Sequence, residues 1–225
     1  MHAGQWLVAA GVVIACAVVV SRAFRQRRDR QALAGLARRL DLVYAPHDPL
    51  DLPARYRVLA IFRRGHNRRA GHVIRGARPL GALCCFRYEY EVGLGTNRQI
   101  RRWGVAVVES DMDLPLTSVG PAPRETTLDD AWLDPVPDGM QYSARQGAVQ
   151  IDSVLGDTAA PLAVEWADWV GALDGRCRLE THGRLIAVVA ADPVSPDGWE
   201  WLVRVAGEAT GRIRNAVAAH QPRES

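Results

Sequence analysis

The stretch Ala82–Ser110, ALCCFRYEYEVGLGTNRQIRRWGVAVVES, decides the fold. Ala82, Cys84, Phe86, Tyr88, Tyr90 and Val92 occupy alternate positions, the period of one face of a β-strand. GLGTN follows, a five-residue turn holding two glycines, and a second strand-like run begins at Gln99. A hairpin centred on Gly95 pairs Tyr90 with Ile100, Glu89 with Arg101, Arg87 with Trp103 and Cys85 with Val105. These partners are chemically compatible: apolar with apolar, acid with base, guanidinium with indole. HVIRGARP, from His72 to Pro79, adds a third strand upstream.

Towards the C-terminus, residues 111–139 are rich in Pro, Asp and Thr and read as a long surface connection with one turn around Asp130 to Leu133. GAVQIDS returns to a short strand. In DTAAPLAVEWADWVGALDG, Asp157 or Thr158 caps a helix with Pro161 in its first turn. Leu162, Trp166, Trp169, Val170 and Leu173 form its apolar stripe, and Gly175 stops it. CRLETHGRLIAVVAA reads as a second hairpin turning at His182 and Gly183. Ser195 and Pro196 open a long helix with Leu202, Val205, Ala206, Ala209, Ile213 and Val217 on one side. Strands first with helices interspersed late predict an α+β domain, an antiparallel sheet flanked by helices.

Towards the N-terminus the periodicity gives way to an unbroken apolar run. No residue from Trp6 to Val20 is charged, and residues 6–24 as a helix span ~28 Å, close to a ~30 Å hydrocarbon core. Trp6 marks one interface, and Arg22, Arg25, Arg27, Arg28 and Arg30 crowd the other. Positive charge stays on the cytoplasmic side. A cleaved signal peptide would carry its charge before the apolar run instead. The expected organisation is a short extracytoplasmic tail at 1–5, a transmembrane helix at 6–24, a basic juxtamembrane helix at 25–40, a cytoplasmic α+β domain at 41–219 and a disordered tail at 220–225. Leu33, Leu36, Ala37 and Leu40 form one face of the juxtamembrane helix, and Pro46, Pro49 and Pro53 end it. Cys84, Cys85 and Cys177, on the reducing side of the membrane, are expected as free thiols.

Composition excludes several chemistries. All 28 basic residues are arginine, so no Walker A lysine, Schiff-base lysine or kinase-type lysine exists. Residues 1–102 carry 19 Arg against 6 acids, and the remainder 9 Arg against 19 acids. The basic half suits an anionic leaflet; equally, the two halves can pair within one fold. FRRGHNRRAGHVIRGAR, Phe62–Arg78, is the densest basic stretch. It reads either as a solvated loop turning at Gly65 and Gly71 or as a surface for anionic lipid or a partner. Nucleic acid is not expected, since no recognised binding signature accompanies it. Arg25, Arg27, Arg28, Arg63, Arg64, Arg68 and Arg69 are the candidate lipid- or partner-binding residues, and Trp103, Trp166 and Trp169 the candidate partner-binding ones.

No catalytic, cofactor or metal residue is assigned. Adjacent Cys84 and Cys85 point to opposite faces of a strand and cannot share one tetrahedral ion. ESDMDL, Glu109–Leu114, lacks the glycine and closing glutamate of a calcium loop and reads as a strand end entering a turn. No G-x-S-x-G elbow occurs, and GLGT lacks a dinucleotide fingerprint. Glu89 and Glu91 share a strand face, but neighbouring arginines account for them.

The N-terminal anchor, LARRLDLVYAPHDP, FRRGHNRRAGHVIRG and CCFRYEYEVGLGTNR together resemble a family of single-pass, membrane-anchored actinobacterial proteins similar to the mycobacterial trehalose-monomycolate transport factor. The resemblance covers roughly residues 6–110. It implies a fold like the Mog1 and PsbP proteins and a non-enzymatic, inner-membrane adaptor or accessory factor serving a cell-envelope lipid exporter. Two alternatives stand beside it: a module binding anionic membrane lipid, and an enzyme with an unrecognised site.

Overall fold

The computed structural model describes residues 3–121, 142–147, 149–153, 160–173, 177–193 and 195–220. The chain opens with one continuous helix, α1 (Ala3–Arg39). Leu33, Leu36 and Ala37 are buried on its inner face, as the i, i+3, i+4 spacing requires. Earlier along the same helix, Val19 is 66% and Phe24 68% exposed. Among the described residues no helix is long and apolar enough to cross a membrane; the side chains of residues 3–15, within the run expected to cross, lie outside the described ones.

The helix stops before any proline is reached. Asp41 sits in the left-handed region at φ 52°, Leu42 N–H donates to Ala37 O at 2.8 Å and Asp41 N–H to Arg38 O at 3.2 Å. This is the paired closure of a Schellman cap, with Asp41 where glycine is commoner. Pro46 lies instead in β1 (Val43–His47), an edge strand that tolerates its missing N–H. Asp48 then accepts from Leu50 N–H and Leu52 N–H at 2.9 and 2.7 Å, ordering the entry to the short helix α2 (Leu52–Arg55). A 3₁₀ turn, Ala60–Arg63, follows.

Among the described residues seven strands form one sheet, ordered β1-β2-β3-β4-β6-β5 with β7 also paired to β4, and every pairing is antiparallel. The strands are β2 (His66–Arg78), β3 (Gly81–Val92), β4 (Gln99–Pro121), β5 (Tyr142–Gln146), β6 (Val149–Ser153) and β7 (Cys177–Ala191). Helices α3 (Ala160–Ala172) and α4 (Pro196–His220) complete the order. The α+β arrangement of an antiparallel sheet flanked by helices is therefore as expected.

Four local readings are corrected. The hairpin register is one residue off: Tyr90 pairs Arg101, Glu89 pairs Arg102, Tyr88 pairs Trp103, Phe86 pairs Val105 and Cys85 pairs Ala106. Cross-strand partners share a face, and Phe86 and Val105 lie in one core cluster while Cys85 and Ala106 lie in the other. Pairing Cys85 with Val105 would have turned one strand inside out. The basic stretch is not a loop, since β2 already begins at His66; Gly65 does turn, at φ 58°. β4 runs on through Glu109–Leu114 to Pro121, so the surface connection does not begin at 111; the turn expected at 130–133 lies outside the described residues. Finally, Cys177–Ala191 is one strand paired along β4, not a hairpin. The long β4 offers partners to both its halves. Left-handed Gly183 at φ 55° and register shifts around Leu114 absorb the irregularity as bulges.

The sheet buries both faces. One, with Phe86, Tyr88, Trp103 and Val105, is covered by Leu52, Tyr56, Leu59, Ile61 and Phe62 from the α2 segment. Aromatic edges meet there, Phe62 and Tyr88 with centroids 4.7 Å apart and close to perpendicular. The other face, with Cys85, Ala106, Val108 and Val188, carries α1, α3 and α4. The Ser195–Pro196 start of α4 is as expected, and Gly198 N–H donates to Ser195 Oγ at 3.2 Å. The proposed Asp157 or Thr158 cap of α3 lies outside the described residues.

Candidate functional site

An apolar concavity opens where the C-terminal end of α1, the β2–β3 turn and α4 converge. It has a volume of about 450 Å³, and Leu40, Leu80, Leu83, Val108 and Val203 contribute its apolar walls. The turn is built on Gly81, whose φ is +139° and where a Cβ would sit 2.3 Å from Glu109 O. Only glycine fits that approach, and the turn it permits holds Leu80 over the opening. Gly207 leaves one wall open, since nothing lies within 4 Å of where its Cβ would be.

Most polar groups around this groove are engaged, and Arg78 adds a guanidinium to its lining. Arg39 pairs Glu200 at 3.0 Å, Arg204 pairs Glu208 at 2.6 Å, and Thr210 Oγ donates to Ala206 O at 2.8 Å. No thiol or imidazole lines it. Hydrocarbon walls with a mostly paired rim and one further cation, Arg78, favour an alkyl chain or apolar side chains.

A second constellation lies at the other end of α1's contact with the sheet. Tyr44 Oη lies 2.9 Å from His72 Nδ1, and Arg87 Nε donates to Asp192 Oδ1 at 2.8 Å. His72 adopts φ 52°. Burial and the charges of Arg87 and Arg30 hold its imidazole below the usual histidine range, against the weaker opposing pull of Asp29 and Asp192. The unfolded chain therefore binds this proton at a higher pH than the folded one, and stability declines as pH falls below about 6.5. Replacing His72 with Asn, which tolerates the left-handed backbone, should flatten the decline between neutrality and pH 5. Thermal melts of wild type and H72N across that range check this, and parallel slopes would refute it.

The arginine-rich strand is neutralised only in part. Glu89 bridges Arg69 at 2.9 Å and Arg102 at 2.8 Å. Burial pushes its carboxyl up, but the hydrogen bonds from Arg102 and Arg69 outweigh it, leaving the pKa below the ordinary value. Glu91 accepts from Asn67 at 2.7 Å and from Arg98, and is likewise held low. Arg68 donates to the carbonyls of Arg63 and Arg64 at 2.7 and 3.0 Å, and Arg63 donates to Arg57 O at 3.2 Å. These arginines tie the 3₁₀ turn to β2.

Of the candidate residues named from the sequence, Arg27 and Arg28 are exposed on α1, while the Arg25 side chain lies outside the described residues. Arg63, Arg68 and Arg69 are exposed and Arg64 is buried. Trp103, Trp166 and Trp169 are 6, 3 and 8% exposed: all three are packed in the core. The groove was missed because its walls come from segments far apart in sequence, none with a polar motif. Cys84 and Cys85 lie in opposite core clusters, and the four cysteines are free. Burial pushes Cys84 and Cys177 up to about 12, so neither is a ready nucleophile at neutral pH. Among the described residues no group of His, Cys, Asp or Glu could hold a metal ion.

Fold and groove together define a two-faced α+β domain built onto the end of a long N-terminal helix, with an apolar cleft beside that helix. No family model matches the sequence, and no curated protein matches it. Among solved structures the chain is similar to the crystal structure of the mycobacterial trehalose monomycolate transport factor A, TtfA. The TM-score is 0.60 at 12% identity, over 82% of this chain and 93% of that one. The resemblance seen in the anchor, basic stretch and hairpin thus reappears as a shared fold.

Proposed function

We propose that this protein is a membrane-anchored, non-enzymatic accessory factor of cell-envelope lipid transport, with a Mog1/PsbP-like cytoplasmic domain that engages an inner-membrane transport complex. The observation that carries the reading is the single helix α1, core-packed at Leu33–Ala37 and apolar yet exposed at Val18–Val20 and Phe24. Such a helix transmits the position of the bilayer directly to the domain. The shared fold with a trehalose monomycolate transport factor supports lipid transport as the setting. Residues 6–24 cross the membrane, 25–40 form the juxtamembrane helix and 41–219 the cytoplasmic domain, into whose core Leu33, Leu36 and Ala37 pack. The apolar groove is the docking site for a partner's apolar side chains, and the exposed arginines face anionic headgroups or the partner.

Gly207 provides the test. Its open surroundings let a Trp enter the groove without displacing backbone, while Gly207→Ala alone should stabilise α4 by about 0.5–1 kcal/mol. After gentle detergent extraction and affinity purification, wild type and G207A should retain an integral membrane partner, and G207W should lose it at least tenfold with an unchanged melting profile. Recovery of only the bare monomer from crosslinked wild-type membranes would sink the adaptor reading.

A further inference from the structure

The β3–β4 turn exposes Leu94, and Ile100 is exposed at the start of β4, with arginines on the strands around them. Leu94 is 83% and Ile100 43% exposed. The turn is shaped by left-handed Gly93 and Gly95, and a Cβ on Gly93 would sit 2.5 Å from Asn97 O. Arg98, Arg101 and Arg102 follow the turn in sequence, and Arg68 and Arg69 lie on the adjacent β2. Among the described residues Glu89 and Glu91 oppose them on β3, each engaged as described, and Arg68 has backbone carbonyls for partners, so positive charge remains at the tip. A lone exposed leucine is ordinary; what sets this one apart is where the fold points it.

Asp29 and Leu33 border the same small cavity as His72 and Arg87. Further along α1, Leu40 borders the groove beside Leu83, and Leu42 packs over Gly76. Walking back along α1 towards the anchor is therefore walking forward along β3 towards Leu94. From Asp29 to exposed Val20 is ~14 Å of helix, and from Arg87 to Leu94 is ~23 Å of strand. Along this common direction the hairpin tip thus reaches about 9 Å further than Val20, to the level of the anchor turn around Ile14.

We propose that the β3–β4 turn is a second membrane contact. Leu94 and Ile100 enter the headgroup–acyl boundary of the leaflet from which α1 emerges, and the surrounding arginines sit on its anionic phosphates. The inference rests on the anchor reading above. With two contacts the domain is held in one orientation, which a single helix would leave free to rotate.

The experiment uses the full chain with Cys16→Ser and a single environment-sensitive nitrobenzoxadiazole probe, the other thiols being buried. The probe is placed at Leu94→Cys or, for comparison, at Ala218→Cys, an exposed site near the opposite end of α4. In phosphatidylglycerol-containing nanodiscs the probe at 94 should shift to the blue and be quenched by iodide several-fold less than the probe at 218. The difference should shrink in pure phosphatidylcholine and with Arg98→Gln/Arg102→Gln. Equal quenching at both positions in anionic discs, with the protein resistant to alkaline carbonate, overturns the proposal while leaving the anchor standing. Extraction of the unmodified protein by alkaline carbonate overturns both.

Discussion

A chain lacking residues 1–24 is expected to leave the membrane fraction at high salt while keeping its fold. The removed segment supplies the uncharged run Trp6–Val20, and insertion of such a helix is effectively irreversible compared with any surface contact. What remains begins with the basic turn before Leu33 and retains Leu33, Leu36 and Ala37, the α1 residues that belong to the core. Surface attraction to anionic lipid should persist only at low ionic strength, because exposed charges are screened within ~10 Å at 0.1 M salt. Fractionation at low and high salt, with near-ultraviolet circular dichroism of the soluble product, reads both halves of this result. Truncated protein that still pellets with membranes at high salt would show that the apolar run is not the anchor.

The largest loss of stability is expected at Trp199. It is 1% exposed, the largest of the fully buried side chains among the described residues, and it borders the cavity shared by Asp29 and Leu33 of α1 with Pro193 and Ser195. It is the wedge between the anchor helix, the start of α4 and the sheet. Trp→Ala at such a site removes its transfer free energy and leaves a cavity that three elements cannot jointly close, costing about 3–5 kcal/mol. Trp199→Phe should recover much of that. Denaturant titration of the detergent-solubilised protein measures it, and a loss below about 1 kcal/mol for W199A would mean that α1 is not held to the domain here. Because Trp199 borders the cavity beside α1, W199A should weaken partner retention even at temperatures where the domain stays folded.

Much of the architecture was legible locally. The alternation in Ala82–Val92 did mark a strand, the stripe Leu202–Ile213 a buried helix face, and Ser195–Pro196 its start, because strand and helix periods are written residue by residue. The arginine partners of Glu89 could be foreseen from charge alone, although the paired residue proved to be Arg102 and not Arg101. The tryptophans were ambiguous: an amphipathic ring serves a core as well as an interface, and the apolar stripe that holds Trp166 and Trp169 is the local sign of the burial they show.

The helical stripes, the alternating strands, the uncharged N-terminal run and the absence of lysine are properties of contiguous residues, and the amino-acid sequence by itself determined them. The hairpin register, the continuity of β7, the left-handed cap at Asp41 and the groove under Leu80 were decided only by the tertiary structure. In each, the choice between alternatives rests on which distant segment lies opposite. A one-residue slip of β3 against β4 leaves local propensity unchanged yet moves every side chain to the other face, and only the packing of both sheet faces at once selects the register that buries them.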